Sequence, residues 1–169
     1  AENQWMFGSI PNERIHAHDW RGGITRIGAI PGELVSETTG GIADWEIPID
    51  LNTMTVGEPW DLIINIGHVV PHEVLGFANH NKNYFIGLGG KELICASHMA
   101  AGIYGIENNL GQLVTPLRAC YNWAEDKFLS HLPDVYFQVV MARDLSNQLV
   151  HTGVYVGDDL ETYLMAARA

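Results

Sequence analysis

The run Trp60 to Gly67, WDLIINIG, constrains the fold more than any other stretch of the chain. Its apolar residues continue through Leu62, Ile63 and Ile64 instead of alternating with polar ones, the pattern of a central strand buried on both faces. Such a strand needs elements packed above and below it, so helices are expected elsewhere in the chain.

They are readable on both sides of the run. GGITRIGAIP (Gly22 to Pro31) and WEIPIDLN (Trp45 to Asn52) have the Ile-rich, Gly- and Pro-bounded look of strands, with PGELVSETTGG between them as a helix stopped by Gly40-Gly41. YFIGLGG reads as a further short strand, and GKELICASHMAAGIYGI as a helix opening behind Gly89-Gly90. In TPLRACYNWAEDKFLSHL, Leu117, Tyr121, Ala124 and Phe128 share one helical face, with Pro116 near the start. DVYFQVVMA, a turn at RDLSNQ, LVHTGVYVGD and DLETYLMAARA complete the chain as a hairpin followed by a helix. The expected fold is α/β, a mainly parallel sheet flanked by helices with a C-terminal hairpin-plus-helix element. Residues 1–169 read as a single domain with a possible sublobe boundary near 132–134.

Charge excludes some partners. A formal net charge of -11, with nine Lys and Arg scattered singly, offers no basic stripe for phosphates, so neither nucleic acid nor an anionic membrane is expected to bind. No apolar run approaches the ~20 residues of a membrane span, and the N-terminal AENQWMFGSI lacks the layout of a signal peptide, which makes the cytoplasm the expected location. Cys95 and Cys120 lack CxxC spacing and read as buried free thiols. The absence of a start methionine, and a C-terminus flush with LMAARA, suggest a piece of a longer chain.

Directly after the apolar run comes GHVVPHEVLGFANHNKNYFIGLGGKELICASH, Gly67 to His98, with four histidines and two lysines among small and apolar residues. Ligands of open α/β sheets bind beyond the carboxyl ends of strands, which is where this stretch falls. His68 reads as a donor to a loop carbonyl, and His80, in NHN, as a solvated loop-tip residue. His72 follows Pro71, whose fixed φ would hold the imidazole in one orientation, useful for a general acid/base. Lys82 is either a surface charge or, in a partly desolvated pocket, a nucleophile. His98, between Ser97 and Met99, suits a helix core or a metal. Their spacing matches no zinc signature such as HExxH.

The order Pro71-His72, Gly76-Phe77, Lys82, Gly87 and His98, with ten residues from His72 to Lys82 and sixteen from Lys82 to His98, resembles the nickel-pincer-dependent lactate racemase family. The similarity is strongest from Asp61 to Gly105 and continues more loosely from His18-Asp19 through Val154 to Asp159. It implies that Lys82 anchors a pyridinium mononucleotide through a thioamide, that His98 is a ligand to its nickel, and that the catalytic His72 exchanges the hydroxyl proton of a lactate-like 2-hydroxy acid. Glycines 67, 76, 87, 89 and 90 would then let backbone approach the nucleotide. The three functional side chains are expected in one cleft at the carboxyl edge of the sheet.

Family elements resembling Asp-His-Thr-Arg-Pro and Gly-Thr-His-Arg are absent from this sequence, and with them the second catalytic histidine; HAHD (His16 to Asp19) matches a non-catalytic element. Where members often have Ser-Gly-Gly, this chain has Asn79-His80-Asn81. The chain is therefore expected to be part of an isomerase, inactive alone, and apo unless cofactor maturation enzymes load it. Two other readings compete. One is a non-catalytic nucleotide- or partner-binding module. The other is a metal hydrolase using His68, His72 and His98, with Glu73 or Glu92 as base.

Overall fold

The computed structural model describes residues 8–169. Strand β1 (Ile24–Ile30) pairs with β2 (Ile47–Asn52), and helix α1 (Gly32–Thr39) lies between them in sequence. Gly40 and Gly41, both left-handed, turn the chain back at the end of α1, so that Ile30 at the end of β1 meets Ile47 at the start of β2. The ladder is antiparallel for that reason. A short helix α2 (Thr53–Gly57), whose N-cap Asn52 accepts from the Met54 amide, leads to β3 (Ile63–His68).

Beyond β3 the two-residue strands β4 (Pro71–His72) and β5 (Gly76–Phe77) pair with each other, and a π-helical turn spans Asn83–Gly87. Three helices follow: α3 (Lys91–Tyr104), α4 (Ile106–Asn109) and α5 (Pro116–Phe128). Thr115 caps α5 by accepting from the Arg118 amide, with Pro116 at the first turn. Strands β6 (Asp134–Arg143) and β7 (Leu149–Gly157) and helix α6 (Leu160–Arg168) form the expected hairpin-plus-helix end. The main core packs Ile30, Ile47, Ile49 and Leu51 of the first sheet against Leu93 of α3 and Leu117, Tyr121 and Ala124 of α5.

The class is mixed α/β with helices against the sheets, but the sheet is not mainly parallel. Among the described residues only β3 and β6 pair in parallel; β1–β2, β4–β5 and β6–β7 are antiparallel. Nor is β3 a buried central strand. In the order β3-β6-β7 it is an edge, and Ile64 and Ile66 are 55% and 67% exposed. The apolar run does put apolar side chains on both faces, but a run of this kind carries no information about what covers them.

YFIGLGG is the π-helical turn, not a strand. The Asn81 carbonyl accepts from the amides of both Tyr84 and Phe85, winding the chain helically while both rings enter the core. Cys120 is a buried free thiol, whereas Cys95 is exposed, because α3 turns Leu93, Ser97, Ala100 and Ala101 inward and leaves position 95 outside. No helix among the described residues is long and apolar enough to cross a membrane.

Candidate active site

The segment from the end of β3 to the start of α3 folds back on itself. Pro71 pairs with Phe77, and Gly76, at φ 78°, closes the β4–β5 turn where a side chain would strike the Gln112 carbonyl. Asn79 and His80 then both adopt left-handed backbone, at φ 67° and 57°, and Lys82 enters the π-helical turn. His72, Lys82 and His98 thus come from β4, the start of the π turn and the middle of α3.

All three are half-buried, and their charges act on one another. His72 is held below its ordinary value of 6.5, first by burial and next by the Lys82 charge, with smaller contributions from His98 and Arg118 and against the opposing pull of Glu73. The Lys82 amine is also pushed down, chiefly by burial, against the opposing pull of Glu73. Glu73 in turn feels His72, His98 and Lys82 after its own backbone hydrogen bond and its burial. Glu73 is thus the carboxylate whose charge acts on both His72 and Lys82, with His72 the nearer at 3.9 Å. Glu73 entered the sequence reading only as a possible hydrolase base; a lone Glu after a His carries no signal of this placement.

Hydrogen bonds fix two of the imidazole tautomers. His98 Nδ1 donates to the Ile94 carbonyl, 2.7 Å away on the preceding turn, so the Nε2 lone pair is left free to bind a metal. The Val74 amide donates to His72 Nδ1 at 3.2 Å, which places the hydrogen of the neutral ring on Nε2. His72 Nε2 is 3.9 Å from Glu73 Oε2, beyond hydrogen-bond reach. Protonating His72 requires Nδ1 to release the Val74 amide, which adds to burial in favouring the neutral ring.

Under this loop lies a polar network that the sequence did not disclose. Arg118 of α5 is almost fully buried, and its guanidinium donates to Asn81 Oδ1, the Phe77 carbonyl and the Tyr163 hydroxyl. Asn81 donates to Asn122 Oδ1 at 2.8 Å and Glu125 Oε2 at 2.9 Å, and Tyr136 donates to Glu125 Oε1 at 2.7 Å. Burial raises the Glu125 carboxyl, while Tyr136, Asn81 and Arg118 favour its charged form. Asn79 donates to the Gly67 carbonyl at 2.9 Å and to Gln138 Oε1 at 2.6 Å.

His80 is not solvated. It is 2% exposed and stacked on Tyr136, because its left-handed backbone turns the ring inward and not outward. The glycines also do something else. A side chain at Gly67 would collide with the Asn79 amide, and those at Gly89 and Gly90 with the Phe85 carbonyl and Asp50, so these positions admit the chain's own groups.

His18 is bonded at both ring nitrogens, to Gly89 O at 2.9 Å and Asn52 Nδ2 at 3.0 Å, which makes it a strut. His68 is exposed at the end of β3. No three His, Cys, Asp or Glu side chains among the described residues are grouped so as to hold a metal, so the hydrolase set His68, His72 and His98 is not assembled. An apolar cleft of about 570 Å³ runs along the outer edge of β3, between Trp60, Leu62, Ile64, Ile66 and Tyr84. None of His72, Lys82 or His98 lines it.

No protein-family model and no curated protein sequence matches the chain. Solved structures do. The lactate racemase apoprotein from Thermoanaerobacterium thermosaccharolyticum superposes with a TM-score of 0.71 at 22% identity over 99% of this chain. The fold is lactate racemase-like. A Thermotoga maritima protein of known crystal structure matches with a TM-score of 0.79 and 27% identity, again over 99% of this chain. The chain spans 36% of that racemase and 41% of the Thermotoga protein.

Proposed function

We propose that this racemase-like domain is part of a nickel-pincer-nucleotide-dependent racemase or epimerase acting on 2-hydroxy acids. What supports the reading is Lys82 itself, half-buried at the start of the π turn with its amine held below its ordinary proton affinity, together with a His98 whose Nε2 is left free by the bond from Nδ1 to Ile94. A lysine must be neutral to attack a thioacid, and partial burial favours that form. His98 would hold the metal through Nε2, which the bond from Nδ1 to Ile94 leaves free. When bound, the pincer nucleotide would supply an electrophilic centre for reversible transfer of the substrate's C2 hydrogen as hydride.

His72 takes the substrate hydroxyl proton as the C–H bond breaks and gives it back on return. Its neutral resting state provides the base, and release of the Val74 amide accompanies protonation at Nδ1. Racemisation needs such a group on each face of the substrate. His72 serves one of them, and the chain by itself is therefore expected to be inactive. Maturation enzymes that synthesise and transfer the cofactor are the implied protein partners.

Intact-mass and peptide mass spectrometry of the protein coexpressed with cofactor-making enzymes tests the reading. A nucleotide adduct on Lys82 is expected. An unmodified Lys82 with tightly held zinc would favour the hydrolase, and an unmodified Lys82 without metal a nucleotide- or partner-binding module.

A further inference from the structure

His80 occupies a backbone conformation that is uncommon outside glycine. Left-handed backbone carries a conformational cost at a non-glycine residue, and here two such residues stand in succession, with only Asn81 between them and the site lysine. Such strain persists only where the surroundings over-determine it. Asn79 is tied by its amide to Gly67 and Gln138, and Asn81 by Arg118, Asn122 and Glu125.

His80 is held differently. Neither ring nitrogen has a hydrogen-bond partner among the described residues. The ring is packed between Tyr136, with centroids 4.4 Å apart and planes at 20°, and Tyr163, at 5.2 Å and 43°. The ring is 2% exposed, and neither nitrogen is tied to the polar network around it. Its effect is mechanical: it fixes the direction in which the chain leaves the strained turn, two residues before Lys82.

We infer that His80 is a positioning residue for Lys82, its ring acting as a wedge between Tyr136 and Tyr163 that keeps the lysine half-buried at the start of the π turn. This rests on the proposed role of Lys82, so the test reads the amine directly, on the chain without cofactor. Reductive methylation over a pH series, followed by peptide mass spectrometry, gives a labelling midpoint for Lys82, with the exposed Lys91 and Lys127 as references in the same sample.

The Lys82 midpoint is expected below those of Lys91 and Lys127. In His80→Gly, which relieves the backbone strain but removes the wedge, it should rise towards theirs. In His80→Phe, which keeps a ring of similar size, it should stay low. A midpoint unmoved by His80→Gly, or moved equally by His80→Phe, overturns the inference. Should His80→Gly unfold, Tyr163→Leu removes one wall of the clamp from outside the turn, and the same rise is required of it. A Lys82 that never acquires an adduct but still shows this pattern would reject the proposed function and leave the positioning role standing.

Discussion

The His80 ring lies against Tyr136 with centroids 4.4 Å apart and planes 20° from parallel. Burial, and then the Arg118 charge, push the imidazole down to about 3 from an ordinary 6.5, against the opposite pull of Asp159. The ring is therefore neutral in the fold, and its 3.7 Å approach to Glu125 is not an ion pair at neutral pH. Between about pH 3 and 6.5 the unfolded chain binds the proton that the folded one refuses, so stability rises with pH across that window and is lost as pH falls. The shift corresponds to ~5 kcal/mol at most. Urea unfolding at pH 4.5 and pH 7 should show a large difference, reduced in His80→Phe. The difference should not vanish, because His72 is also held down by burial and contributes with the same sign.

Arg118 joins three elements in one hydrogen-bonded fork, binding Asn81 before the π turn, Phe77 at the end of β5 and Tyr163 on α6. Removing it leaves Asn81 Oδ1 and the Phe77 carbonyl without that donor and takes a cation away from the buried Glu125. Arg118→Leu should destabilise the protein by ~3–5 kcal/mol, as breaking a buried charged network does. Arg118→Lys should recover little, since an ammonium cannot span the three acceptors. Equilibrium denaturation at pH 7 measures both, and a loss below ~1 kcal/mol for Arg118→Leu would contradict the account.

What the sequence disclosed and what it hid follow from the range of the forces involved. Helices α3 and α5 were legible because caps, Pro116 and a one-sided apolar face are local, and the hairpin before α6 because its turn residues are. The edge position of β3 was not, since Ile64 and Ile66 look the same whether covered or bare. His72, Lys82 and His98 stood out by spacing and family resemblance. Arg118 and the buried state of His80 did not, because each depends on partners tens of residues away: Arg118 meets Asn81 across 37 positions and Phe77 across 41. His80 was misread for a related reason. A polar loop tip predicts solvent exposure unless the backbone is left-handed, and nothing in Asn-His-Asn announces that.

Gly76 and Gly102 should respond oppositely to alanine. Gly76 has φ 78°, and a Cβ there would overlap the Gln112 carbonyl oxygen, a backbone atom with little freedom to move. Gly76→Ala is expected to cost ~2 kcal/mol or more and to disturb the β4–β5 turn that carries His72. Gly102 sits within α3, exposed, with open space where a Cβ would go. Gly102→Ala should stabilise by ~0.5–1 kcal/mol through the unfolded-state entropy it removes. Thermal unfolding of the two variants beside the parent checks both signs.

On the proposed function, the three site residues should separate once the protein has been coexpressed with cofactor-making enzymes. Lys82→Ala removes the covalent anchor, so nucleotide and nickel should be lost together and no activity should appear at any pH. His98→Ala should keep the Lys82 adduct and bind nickel less tightly, because one imidazole donor has gone and Ile94 merely loses a bond to Nδ1. His72→Ala should retain both and slow turnover by about 10²-fold or more, the usual scale for deleting a positioned acid/base group. With His72 held below 6.5, the acid limb of the parent's pH profile should fall below that value, and His72→Ala should remove it. A purely structural role predicts a different pattern, in which all three variants lose stability in step with activity. None of the three side chains is fully buried, so truncation alone should change stability little. Nickel content, adduct mass, melting temperature and rate, measured on the same preparations, decide between the two, and a fully active His72→Ala would remove the acid/base assignment.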